Sequence, residues 1–168
     1  MNRMHRGFTL IEVMIAMLVL SLGLLGIAGT MVASLHSASS NYLKQQAVQT
    51  SYDIADRMRS NALVASTPNS TNPYIVSLSA PSATAPASDC ASTTCNAMKM
   101  AAYDVWQWQT TVKNSLPGGL GSISVAPDLT GNKAVVTITV QWSDQPAQAT
   151  FNAASTVTNN TLSVITTL

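Results

Sequence analysis

The chain has 168 residues, a length that suits one domain plus an anchoring helix. Charged residues make up 9% of it, against roughly 25% in soluble domains, and the formal net charge is +1. Without a basic surface to neutralise phosphates, nucleic acid is excluded as a predicted partner.

The chain opens on a short basic leader with Arg3, His5 and Arg6 that ends at Gly7. Phe8 follows, then a lone carboxylate at Glu12, and no further Asp, Glu, Lys or Arg until Lys44. A charge in mid-membrane costs roughly 2.5 to 3.5 kcal/mol, so a glutamate kept at the head of an apolar helix predicts a partner for it. Val13 to Ala33 carries no formal charge and spans roughly 30 Å as a helix, enough for a bilayer core. The basic residues in front of it hold the N-terminus in the cytoplasm and send the rest across. Ala28-Gly29-Thr30 imitates a secretory cleavage site, but the Gly7-Phe8 junction before Glu12 is the more specific signal. Cutting after Gly7 removes Arg3 and Arg6 from the eight Lys and Arg, leaving six against seven Asp and Glu. It also exposes a positive amine on Phe8. In a staggered bundle, Glu12 of one subunit can pair with that amine on a neighbour and set axial register. The opposing reading is an interfacial glutamate that reaches the headgroups.

Phe8 to about Asn61 reads as one helix with two characters, membrane or filament core over 8–34 and amphipathic over 35–62. In the second half Leu43, Ala47, Ile54, Met58 and Ala62 recur at helical spacing, with Thr50 or Ser51 filling the gap. Gln45, Gln49, Asp53, Asp56 and Arg57 fall on other faces, and Asp53 with Arg57 makes an i,i+4 pair. Gly23, Gly26 and Gly29 support two compatible readings: close helix contact in lipid, and a segment that can stretch when packed in a filament.

Residues 63–168 form the predicted head. Leu63 to Asn96 reads as a long polar loop with Pro68, Pro73, Pro81 and Pro86. Cys90 and Cys95 lie in it; across the membrane they would be oxidised, which favours a local disulfide. Zinc is the alternative, but only His36 remains after processing, so no metal is predicted. Asn96 caps a second helix, Ala97 to about Ser115, with an inner stripe of Met98, Ala101, Val105, Trp108 and Val112. Leu116-Pro117-Gly118-Gly119 stops it. Strands fill 121–168. Ala134, Val136, Ile138, Val140 and Trp142 alternate with polar or β-branched neighbours, Ser122 to Ala126 precedes them across a turn, and Ala147 to Ala154 and Asn160 to Thr167 are weaker strands.

Catalytic constellations are missing. The head has no histidine for a triad, Glu12 is the sole glutamate, and Asp53 with Asp56 sits on an exposed helix face. No catalytic residue, cofactor or enzymatic activity is predicted. Trp106 flanks the inner stripe and could contact a neighbour; Trp142 continues the inner strand face. Asn69-Ser70-Thr71 and Asn159-Asn160-Thr161 match the N-glycosylation pattern and read as ordinary loop residues.

Met1 to Gly7 followed by Phe8-Thr9-Leu10-Ile11-Glu12 resembles the leader and mature start of type IV pilins and type II secretion pseudopilins. The resemblance implies that a prepilin peptidase cuts after Gly7 and methylates the Phe8 amine. It implies an α+β fold, a long N-terminal helix packed on a small antiparallel sheet. Ser21 to Ala33, Tyr52 to Asn61, Cys90 with Cys95, Tyr103-Asp104 with Trp106, Leu116 to Gly119 and Val136 to Trp142 are similar to the PilV group of minor pilins, the type IV pilus modification proteins. Principal pilins of this class usually carry proline where Gly29 stands and close a C-terminal loop with a disulfide; both departures suit a minor pilin. The implied partners are the prepilin peptidase, other minor pilins, the major pilin, the inner-membrane assembly platform and the membrane. The rivals are a minor pseudopilin and a pilus-associated adhesin that uses the 63–96 loop.

Overall fold

The computed structural model describes residues 7–131, 133–143 and 159–168. The elements in chain order are α1 (Leu10–Ser60), α2 (Ala62–Ala65), β1 (Val76–Ser79), α3 (Ala97–Ser115), β2 (Leu120–Pro127), β3 (Ala134–Ser143) and β4 (Asn159–Thr167). The chain divides into two units, Met1–Ser39 and Ser40–Leu168. The fold is α+β. The Ala147 to Ala154 strand expected from the sequence lies outside the described residues.

In the first unit, α1 begins at Leu10, two residues later than the sequence reading placed it. Thr9 is the reason. Its hydroxyl accepts the Glu12 N–H at 3.4 Å and its carbonyl accepts the same N–H at 3.1 Å, so Thr9 acts as the cap and Phe8 stays outside the helix. Behind the cap, every residue to Leu35 is exposed. The helix is long and apolar enough to cross a membrane. Two of its hydroxyls are satisfied locally: Ser21 donates to the Leu18 carbonyl and Thr30 to the Ile27 carbonyl, each at 2.9 Å.

The second unit is built on a four-stranded antiparallel sheet in the order β1-β2-β3-β4. Strict alternation on β3 buries Ala134, Val136, Ile138, Val140 and Trp142 on one face. Register places Ile123 opposite Ile138 and Val125 opposite Val136 from β2, and Leu162 opposite Val140 from β4. Leu43, Ala47, Ile54, Ala55 and Met58 of α1 join Ala101, Val105, Trp108 and Val112 of α3 in the same core. Burying each large side chain stabilises by about 1.5 to 3 kcal/mol. Trp108 is the largest of them, is fully buried, and donates its Nε1–H to the Thr50 carbonyl at 3.0 Å. Gly121 of β2 lies directly beneath it; a Cβ there would come within 2.6 Å of the indole.

Three expectations are corrected here. Ala62 is exposed, because α1 stops at Ser60 and Asn61 turns the chain. Met98 is exposed as well; in the first turn of α3 it lies outside the packed stretch, and Ala101 is the first buried residue of that helix. The 63–96 segment is only partly loop. It contributes α2 and β1, and it sends Asn72 and Tyr74 into the core.

Candidate functional site

Phe8 and Glu12 form the first locus. Phe8 is 85% exposed, and it lines one shallow surface with Glu12, Val13, Ala16, Met17 and Leu20. Glu12 stands at the third position of the helix, where the free N–H groups and the helix dipole favour a carboxylate. Thr9-Leu10-Ile11-Glu12 has the spacing of a capping box. That pattern was readable before an apolar run, yet the reading of the sequence passed over Thr9. Glu12 therefore sits at a defined helical position, with apolar side chains around it and no Lys or Arg among the described residues up to Lys44. Gly7 precedes this cap in non-helical conformation and is exposed.

The second locus is the junction of α1, α3 and the Tyr74 segment. Arg57 donates to Asp53 at 3.1 Å, the i,i+4 pair expected from spacing. It also reaches Asp104 of α3 at 3.3 Å and Gln107, so it is half-buried although it lies off the Leu43–Met58 stripe. Tyr74 donates its hydroxyl to Asp104 at 2.9 Å, and Asn61 donates to the Ala97 carbonyl at 2.8 Å. Burial pushes the Tyr74 hydroxyl well above its ordinary pKa, the Asn61 hydrogen bond opposes that, and the Asp104 carboxylate adds to it. Asp104 is buried and doubly partnered, so this network fixes α3 on α1. Asp56 pairs with Arg59 at 2.6 Å on an exposed face.

The third locus is the disulfide segment. The sulfurs of Cys90 and Cys95 lie at bonding distance, with Cα atoms 5.5 Å apart. Asp89 organises the loop: its carboxylate accepts the Ser92 hydroxyl at 2.9 Å and the Ala91 N–H at 3.1 Å, which hold its pKa below the usual carboxylate value. Asn96 then caps α3 by accepting the Lys99 N–H at 2.9 Å. Trp106 turns to its own chain. It donates its Nε1–H to the Ser82 carbonyl at 3.3 Å and sits 6.0 Å from the Tyr103 ring.

Two family models match the sequence. One describes the prokaryotic N-terminal methylation motif and covers residues 2–28; the other describes the type IV pilin Tt1218 and covers residues 31–106. No curated protein and no solved structure matches the chain.

Proposed function

We propose that this chain, which belongs to the type IV pilin family, is a minor pilin of a type IV pilus that primes or modifies the fibre. The family is one of structural subunits of pilus-like fibres, and the methylation motif implies processing by prepilin peptidase and assembly into a pilus. The reading goes further. The peptidase cuts between Gly7 and Phe8 and methylates the new amine. The 8–34 segment anchors the subunit in the inner membrane with its head in the periplasm, then passes into the fibre core.

The observation that carries this reading is the complete exposure of the apolar stretch of α1 from Leu10 to Leu35, whose one charge is Glu12. Those side chains require cover from outside the chain, first lipid and then neighbouring helices. In such surroundings Glu12 needs a positive partner, and the amine of a neighbouring Phe8 is that partner. A minor role is supported by Gly29 and by cysteines that lie ahead of α3 rather than near the C-terminus. Its contacts would be with the other minor pilins, the major pilin and the assembly platform, and its own residues carry out no catalysis.

Mass spectrometry of the N-terminal peptide in sheared pili and in membranes tests the reading. An N-methylated Phe8 peptide in sheared pili, in much smaller amount than the principal pilin, is expected. The same peptide confined to membranes would favour a pseudopilin. An intact Met1 leader in both fractions would overturn the assignment of Gly7 and Phe8.

A further inference from the structure

The two edges of the sheet differ. β1 has four residues, its register against β2 shifts between Val76 and Ser79, and the Gln109 side chain donates to the Ser79 carbonyl at 3.5 Å. A short, irregular and covered edge resists pairing with another chain. β4 has none of these protections. It is nine residues long, pairs with β3 in unbroken register, and holds no Pro, Gly, Asp, Glu, Lys or Arg. Among the described residues no strand lies on its other side.

The direction of its backbone groups follows from one pair. Leu168 donates to the Ala134 carbonyl at 2.9 Å and Ala134 donates back at 3.3 Å, so the two form a hydrogen-bonded pair. Along an antiparallel strand, residues that bond one neighbour alternate with residues whose N–H and C=O point the other way. Counting back from Leu168, the groups of Asn159, Thr161, Ser163, Ile165 and Thr167 point away from β3. The side chains of these same residues are exposed, and Ile165 is a large apolar group that stands 69% exposed beside the open edge.

The strand is also close to a palindrome about Ser163. Folding it on that residue sets Leu162 against Val164, Thr161 against Ile165, Asn160 against Thr166 and Asn159 against Thr167. Apolar meets apolar at the first pair, β-branched meets β-branched at the second, and polar meets polar at the ends. Opposed residues then share a face of the sheet, and the outward groups of one copy meet those of the other. No like charges are opposed. Arg59, which donates to Thr166 at 3.0 Å, is already paired with Asp56.

We propose that β4 pairs antiparallel with β4 of a second copy about a two-fold axis at Ser163, so that one sheet runs through both heads. Facing outward residues exchange two hydrogen bonds per pair. Leu162, which already packs against the core, extends the apolar layer toward Val164 of the other copy. A strand-to-strand contact alone is a small interface, so the association is weak and depends on concentration. The pairing uses the second unit alone and does not rest on entry into a fibre.

The test uses the full chain in its own membranes. Opposed Cα atoms in a hydrogen-bonded antiparallel pair are about 5.5 Å apart, within disulfide range. S163C is expected to give a dimer on mild oxidation that reductant reverses. T167C is expected to give none, because with the axis at Ser163 its two copies stand roughly 27 Å apart. Adding T161K/I165K to S163C sets Lys opposite Lys and should abolish the dimer. Both replaced side chains are exposed, so the denaturation midpoint of the head should change little. Equal crosslinking of S163C and T167C would overturn the two-fold register in favour of parallel pairing. A dimer that persists in the lysine variant would refute pairing through this edge. A monomeric S163C chain with an unchanged midpoint would overturn the proposal and leave the pilin reading, which is tested at Phe8, standing.

Discussion

One helix, α1, runs through both units, and its two stretches meet different solvents. From Leu10 to Tyr42 no residue is buried; from Leu43 onward a stripe is. Both stretches carry hydroxyls and both return them to the helix backbone. Ser21 and Thr30 do so on an exposed apolar surface, whereas Thr50 bonds the Ala47 carbonyl at 3.0 Å and Ser51 the same carbonyl at 2.8 Å inside the core. The backbone rule is the same wherever water is absent. What differs is the origin of the cover. The second stretch is covered by its own head, and the first stretch depends on lipid or on other copies.

That contrast can be broken at either end, and the largest effects are expected there. Glu12→Ala should lower incorporation into sheared pili by about two to four orders of magnitude, since removing one partner of a desolvated ion pair costs about 3 to 5 kcal/mol. Leader cleavage and head unfolding should not change. Quantitative blotting of pili against membranes checks this, and normal amounts of the variant in pili would refute a register role. Trp108→Ala should do the reverse. It should destabilise the head by about 3 to 5 kcal/mol, read as a lowered midpoint in denaturant on solubilised protein, with leader cleavage unaffected. A head that keeps its midpoint would show that the core does not depend on this indole.

The two stretches were not equally legible in the sequence. The apolar run, the core stripe from Leu43 to Met58 and the alternation of β3 follow from local periodicity, and each lies where that periodicity put it. The ends of elements were harder. Thr9 caps α1 and Asn61 ends it through contacts with Ala97 and Tyr74, which no period of 3.6 encodes. Harder still were the long-range partners. Tyr74 and Asn72 sit in a segment rich in Pro, Ser and Thr that reads as loop, yet both are buried: Asp104, 30 residues beyond Tyr74, accepts the Tyr74 hydroxyl, and Asn72 donates to the Ala65 and Thr67 carbonyls. Arg57 looked like a surface charge because its i,i+4 partner is local, while its contact with Asp104 spans 47 residues. At the N-terminus the sequence carried the motif itself, but the partner proposed for Glu12 belongs to another molecule.

The disulfide gives a smaller and more selective test. Replacing Cys90 and Cys95 together by Ser should cost about 2 kcal/mol in the chain-entropy model, because the closed loop is short. The loss should appear in the denaturation midpoint of the head. Incorporation of Glu12-intact protein should survive if the two stretches are as independent as their burial suggests. Failure of this variant to enter pili despite a folded head would tie the 90–95 loop to assembly contacts.

The smallest expected effect is the most specific to the second stretch. Tyr74→Phe removes the hydroxyl that Asp104 accepts, while Arg57 still partners the carboxylate. At neutral pH the loss should be about 1 kcal/mol, the usual net worth of one hydrogen bond. The difference changes with pH, and its sign follows from the Tyr74 pKa. The folded chain holds this hydroxyl above its ordinary value of 10.0. Below pH 10.0 both states keep the proton and the full contribution is present. Above it the unfolded chain ionises while the folded chain does not, so the folded state binds more protons and stability falls as pH rises. The slope for one such group is about 1.4 kcal/mol per pH unit. The groups that face Tyr74 are Asp104 from α3 and Arg57 with Asn61 from the end of α1; Asp104 opposes ionisation, and Arg57 and Asn61 favour it. In Tyr74→Phe this slope should disappear and leave only what the other tyrosines contribute, so the two unfolding curves should converge as the pH is raised. Parallel curves from pH 7 to 11 would show that the Tyr74 hydroxyl titrates as freely in the folded head as in the unfolded chain.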